Sequence, residues 1–275
     1  MKQIFWVLAA ISTFTPFTAP ALAADTLVEP LYTKSAKRYS GLVFDAYAEY
    51  YKDRQFEEID KVDATELRVD LTFPILSRSQ IRLSLPFYTD GDGRRMETGS
   101  STDIDGNGGT FNFASVSYEY QFMDSTHDGI DLMGYAGVGH RTDKLETSNG
   151  DYMNHRGNNA KVGIRLSHEM SSSTSLLGDI GFLYYWDTDD LDPSGQEEVN
   201  FGHLLTSAAV IMHDRPFKPA LELTYRGDLN HYNNLAIVPE LIYSFEAVDL
   251  KLGLPIGLTD DADDYGVTLG LTYRM

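Results

Sequence analysis

Residues 66–73 read Glu66-Leu67-Arg68-Val69-Asp70-Leu71-Thr72-Phe73, an unbroken alternation of polar and apolar side chains. A period of two is that of a β-strand, whose successive side chains point to opposite faces. One face here is aliphatic and aromatic; the other carries Glu66, Arg68 and Asp70. A slip of one residue would turn all three charges to the apolar side. Where that side is lipid, arginine alone costs about 2–4 kcal/mol near the midplane, so the facing is well determined.

The same rhythm continues in both directions along the chain. In the first strand, about 42–50, Phe44, Ala46, Ala48 and Tyr50 oppose Asp45, Tyr47 and Glu49. The third sets Ile81, Leu83, Leu85 and Phe87 against Arg82 and Ser84, and the fourth sets Ala114, Val116, Tyr118, Tyr120 and Phe122 against Ser115, Ser117, Glu119 and Gln121. A fifth covers about 130–140. The sixth alternates Ala160, Val162, Ile164 and Leu166 with Lys161, Gly163, Arg165 and Ser167; the seventh alternates Ile180, Phe182, Tyr184 and Trp186 with Asp179. The eighth, about 201–212, is apolar on both faces and leaves its facing open. Leu221, Leu223 and Tyr225 mark the ninth, against Glu222, Thr224 and Arg226; Leu241, Tyr243 and Phe245 mark the tenth, next to Glu240. Leu250, Leu252, Leu254 and Ile256 mark the eleventh, and Val267, Leu269, Leu271, Tyr273 and Met275 the last, against Thr268, Gly270, Thr272 and Arg274.

The gaps alternate too. Connections 77–79, 124–129, 171–174, 213–217 and 246–249 are short, while 52–60, 89–110, 143–157 and 187–200 are longer and polar, and 228–234 and 259–264 modest. Tight turns at one end and large loops at the other are the signature of a transmembrane barrel. The predicted fold is therefore all-β, a transmembrane antiparallel up-and-down β-barrel of twelve strands, with ten or fourteen left open by the weak eighth. Pro86, Pro239 and Pro255 fall inside strands of a sheet without free edges, so they are expected near strand ends or bulges.

Met1-Lys2, an apolar run from Ile4 to about Phe17 and Ala21-Leu22-Ala23 read as a cleaved signal peptide, 1–23. The run is too short for a membrane helix, which needs about 20 apolar residues. Residues 24–38 are expected as a short periplasmic lead, and 39–275 as the barrel. Cysteine is absent, which removes disulfides and thiolate sites. Against 22 Lys and Arg stand 41 Asp and Glu, a net charge of −19, which excludes nucleic acid as a partner.

The inward charges are the candidate functional set: Asp45, Glu49, Glu66, Arg68, Asp70, Arg82, Glu119, Lys161, Arg165, Asp179, Glu222, Arg226, Glu240 and Arg274. Barrels of about eight strands fill with side chains and those of sixteen or more hold a water channel, so twelve admits either a narrow pore or a salt-bridged plug. The acidic excess points to mild cation preference. Acidic runs at 187–198 and 260–264 read as solvated loop faces or as attractors of divalent cations and lipopolysaccharide. Asp103, Asp105 and Asn107, with Gly106, repeat the ligand spacing at the start of a calcium loop, but position twelve is Ala114 rather than Glu. A Ca2+ ion on such a loop is the one cofactor the pattern admits. His140 and Thr142 have the spacing of a His–hydroxyl pair on one strand face without a placed acid, and no phosphate, dinucleotide or metalloprotease motif is present, so an enzyme is not expected.

Thr268-Leu269-Gly270-Leu271-Thr272-Tyr273-Arg274-Met275 resembles the C-terminal signal by which Gram-negative barrels are recognised by the barrel assembly machinery. Gly270 and Tyr273 match that pattern, and Met275 stands where Phe or Trp is usual. Leu83-Ser84-Leu85-Pro86-Phe87 and Tyr118-Glu119-Tyr120-Gln121-Phe122 resemble the outer-membrane transporter family associated with the phenol meta-pathway. That resemblance implies passage of small molecules, aromatic ones among them, and names no functional residue. The expected protein is a porin-like channel in the outer membrane, touching its lipids and lipopolysaccharide. A closed barrel acting through its acidic loops as adhesin or lipopolysaccharide-binding scaffold is the alternative, and a lipid hydrolase the third reading.

Overall fold

Residues 66–73 lie in the second strand, with Asp70 and Thr72 buried inside and Phe73 exposed outside. The computed structural model describes residues 28–275 except 57–58, 98–99, 108–113, 148–151, 190–197, 214–215, 229–232 and 261. Within 53–64, 87–113, 141–156 and 187–199 it is the backbone that is described where it is strand. The signal-peptide reading, 1–23, lies outside the described residues.

The strands are β1 (Val43–Phe56), β2 (Ile59–Leu76), β3 (Ser79–Glu97), β4 in two parts (Ser100–Asn107 and Ala114–Met123), β5 (Asp131–Thr147), β6 (Tyr152–Ser171), β7 (Thr174–Asp189), β8 (Glu198–Met212), β9 (Phe217–Gly227), β10 (Asn233–Phe245), β11 in two parts (Val248–Gly253 and Ile256–Gly257) and β12 (Tyr265–Arg274). A four-residue helix, α1 (Ser125–Asp128), fills the turn after β4. Each strand pairs antiparallel with its neighbours, and β12 returns to β1 from Val43↔Arg274 to Lys52↔Tyr265. The sheet is a closed up-and-down barrel of twelve strands.

The outer surface is the apolar half of the alternation. Val162, Ile164, Ile180, Leu221, Leu250 and Leu269 are all exposed there, which is unstable in water and required in lipid. Aromatic rings gather toward both ends of this band, as they do at membrane–water boundaries: Phe73, Phe122, Phe217, Phe245 and Tyr273 near the short turns, Tyr50, Tyr184 and Tyr265 toward the other end. From Tyr265 to Tyr273, β12 covers about 26 Å along the strand.

The eighth strand resolves the facing that its sequence left open. His203, Ala209 and Ile211 are buried inside, and Val210 and Met212 are exposed outside. Its inner apolar residues are needed because Val28, Leu177, Ala220 and Ile242 pack against them inside the barrel.

Stretches expected as long loops are largely strand. β3 runs to Glu97, β5 to Thr147 and β6 starts at Tyr152, with pairing sustained from Asp131↔Ser167 to Glu146↔Tyr152. A crossing needs about 9–11 residues, so β6, with 20, continues well past it. Polar–apolar alternation ends where lipid ends, but the hydrogen-bond ladder does not depend on it.

The prolines sit where pairing is interrupted. Around Pro86, β3 pairs with β4 up to Ser84↔Ser115 and resumes at Asp90↔Asn107. Pro239 and Pro255 flank the break in β11, where the Leu254 N–H reaches the Pro239 carbonyl and the Gly266 N–H the Pro255 carbonyl.

Candidate functional site: the lumen and its plug

The inward faces bring the predicted charges into one interior, and they segregate there into sectors. On β3 to β7 they neutralise one another. Glu119 accepts from Arg82 Nε at 3.0 Å, Arg165 Nη1 at 2.9 Å and Gln80 Nε2 at 2.6 Å. Arg165 Nε also donates to Asp179 at 2.9 Å, and its guanidinium lies over the Tyr135 ring, whose hydroxyl donates to Asp179 at 2.8 Å. Lys161 lies inward on the same sector. Beside it, Asp70 accepts from Ser84 and sits 3.5 Å from Arg68 Nε, whose guanidinium covers the Tyr47 ring. Charge-assisted bonds of this type contribute about 1.5–3 kcal/mol each, and they offset the cost of burying the ions.

Toward the long-loop end, Arg226 Nε donates to His203 Nδ1 at 3.1 Å and Nη2 to the Tyr185 hydroxyl at 2.9 Å. Tyr185 stacks on Phe201 with centroids 4.6 Å apart. Near the seam, Arg274 pairs with Asp249, and Asp45 accepts from Thr272. Glu66 and Glu49 line the wall between these layers.

The lead that was expected in the periplasm instead lies inside the barrel. Of residues 24–38, those from Val28 on are described, and Val28, Glu29, Leu31, Thr33, Ser35, Ala36 and Tyr39 are nearly all completely buried. The segment dips in from the short-turn end and returns. Val28 sits low among Leu177, Ile211 and Ile242; Leu31 to Thr33 reach deepest; Ala36 to Tyr39 come back past the first residues of β3 and β5. Composition concealed this placement, because a short polar stretch reads as solvated while its main-chain groups go uncounted.

Those main-chain groups hold the plug. Leu31 N–H donates to both oxygens of Glu240 (3.2 and 3.1 Å), Tyr32 N–H to Glu222 Oε2 at 3.1 Å and Thr33 N–H to Glu222 Oε1 at 2.6 Å. Lower down, Ala36 N–H donates to Ser167, Arg38 N–H to Gln121 and Tyr39 N–H to Gln80. Lys34 donates to Tyr47 and sits 3.7 Å from Glu29 and 3.8 Å from Asp45; Lys37 bridges Asp131 and Glu169 at the rim.

Leu31 is seated by missing side chains. A Cβ on Gly253 would lie 2.3 Å from its Cδ1, and one on Gly270 2.8 Å from its Cδ2. Gly270, singled out as part of the assembly signal, thus also has a packing role in the lumen; Tyr273 and Met275 face outward. Lys251, Asp249, Asp131 and Gln80 are wall residues that alternation in the sequence had not brought out. The inward position opposite Leu250 and Leu252 was the available signal for Lys251.

Asp103, Asp105 and Asn107 lie on the outer part of β4, paired in extended register with Arg94, Asp92 and Asp90; their side chains are outside the described residues. The side chains of the acidic run 187–198 are likewise outside them, whereas Ala262 and Asp263 of the second run are buried. His140 faces outward and its Nδ1 meets the Asn158 amide oxygen at 2.9 Å; the Thr142 side chain is not among those described. Among the described residues no group of three His, Cys, Asp or Glu is placed to hold a metal ion.

A scan against protein-family models finds no match, and a search of curated proteins finds none. Solved structures do match. The COG4313 outer membrane channel from Pseudomonas putida F1 superposes with a TM-score of 0.58 at 10% identity, covering 90% of this chain and 100% of that one. The translocator domain of the autotransporter NalP from Neisseria meningitidis gives 0.56 at 14% identity, covering 86% and 90%. The NanC porin gives 0.51 at 12%, covering 84% and 100%. At these identities the likeness is one of fold: the chain is a closed β-barrel of the outer-membrane type.

Proposed function

We propose that the protein is an outer-membrane channel for passive diffusion of small polar solutes, narrowed at its periplasmic end by its own N-terminal segment. The observation that carries this is the contrast between an apolar outer wall and an inner wall rich in charged and hydrogen-bonding groups. Charged groups on that wall, such as Arg82 and Glu119, suit the passage of polar solutes. The acidic excess of the wall favours cations, and nothing in the route calls for a cofactor.

Single-channel recording of the purified protein in a KCl gradient tests this. Small steps with a cation-directed reversal potential are expected; absence of any conductance overturns the channel, and anion selectivity overturns the charge argument. The tightly held plug also supports a second reading, a closed barrel acting through its loops on lipopolysaccharide or another surface. Silent bilayers together with binding of lipopolysaccharide would favour it.

A further inference from the structure

At its deepest point the plug meets Glu222, Glu240 and Lys251 with peptide groups, while the Tyr32 hydroxyl and the Leu31 side chain turn to Glu49, Thr268 and the glycines of β11 and β12. The N–H groups of Leu31, Tyr32 and Thr33 meet Glu240 and Glu222, and the Pro30 carbonyl accepts from Lys251 Nζ at 3.4 Å. The three wall residues stand on consecutive strands, β9, β10 and β11, whose pairing Glu222↔Val238 and Glu240↔Gly253 fixes their spacing. Two acceptors and one donor are thus held where the consecutive N–H groups of a bent peptide, and the carbonyl before them, reach adjacent strands of the wall. Two carboxylates alone would define nothing; the seated main chain shows what they fit.

Resting on the channel reading, we propose that Glu222, Glu240 and Lys251 form a solute-selecting subsite for short peptides, with residues 30–33 of the chain as its resident stand-in. A peptide solute replaces the plug's main chain group for group, N–H to carboxylate and C=O to ammonium. A sugar of similar mass brings hydroxyls but no such pattern, and a peptide whose nitrogens are methylated brings the carbonyls without the donors. Binding of solute and seating of the plug are therefore mutually exclusive.

Liposome swelling with the purified full-length chain tests the subsite, using triglycine, trisarcosine and glucose as probes. Triglycine is expected to enter at least about fivefold faster than the other two, somewhat less than the tenfold that 1.4 kcal/mol confers. In Glu222→Gln with Glu240→Gln, and separately in Lys251→Met, that advantage should fall below about twofold. Glucose and trisarcosine entering as fast as triglycine, or an advantage that survives both variants, overturns the subsite and leaves the channel standing. Entry of none of the three overturns the channel and the subsite with it. The trisarcosine comparison needs no variant, so it decides the matter even where a substituted barrel fails to fold.

Discussion

Across β3 to β7 the inner wall answers its own charges: Glu119 has Arg82, Arg165 and Gln80, and Arg165 has Asp179. Across β9 and β10, Glu222 and Glu240 face donors that belong to a different part of the chain, the plug. Both arrangements satisfy buried carboxylates, but they differ in what can be exchanged. A network closed within the wall rigidifies the barrel. Carboxylates served by an inserted segment stay available to whatever replaces it. If the proposed subsite holds, the stability of this barrel and its selectivity reside on opposite sides of one interior.

The sharpest way to break that contrast is Glu119→Ala. It leaves Arg82 and Arg165 buried without their shared partner, and loss of one member of such a pair costs about 3–5 kcal/mol. The temperature at which heat-modifiable gel mobility is lost should fall clearly; an unchanged temperature would show that this sector does not hold the barrel. Leu31→Ala attacks the other side. Emptying the seat formed at Gly253 and Gly270 should weaken plug docking by about 2–3 kcal/mol while the barrel's own melting stays put. Loss of hydrogen-exchange protection in residues 28–39, with wild-type protection in β9 to β12, is the expected reading. Equal loss in both would merge the two regions into one cooperative unit.

Lys37→Ala removes a rim lysine shared between Asp131 and Glu169. Partly exposed pairs contribute about 1 kcal/mol or less, and salt screens them. A slight rise in conductance at low ionic strength, vanishing in high salt, is expected; a salt-independent rise would argue for packing rather than charge. The smallest effect belongs outside both sectors. Asp124 caps α1, and hydrogen bonds from the Thr126 N–H and hydroxyl hold its carboxyl below the usual carboxylate range. Its contribution is therefore present above about pH 4 and is lost as the pH falls through the depressed value. Asp124→Ala should cost under about 1 kcal/mol at neutral pH and nothing in strong acid, read again from gel mobility.

The barrel was legible because lipid enforces alternation: Leu67 to Phe73 and Val267 to Tyr273 have one acceptable facing each. Legibility stopped where that constraint stopped. β6 continues through polar residues that the ladder pairs regardless of hydropathy, and β8 has inward apolar residues because Val28 lies against them. The inward charges could be named from alternation alone, but not their partners, since Arg82 and Glu119 are far apart in the chain and meet through strand order. The plug left no trace of its own. Much of its attachment is by backbone N–H, which every residue except proline carries, so residues 28–39 looked like any short polar lead.

Tyr32 donates its hydroxyl to Glu49 on the first strand and shares a hydrogen bond with Thr268 on the last, while Leu31 sits over glycines of the final two strands. That anchorage straddles the junction where the two chain ends of the sheet are zipped together. Those contacts form only when the first and last strands pair, so the seating of Tyr32 is coupled to closure of the sheet.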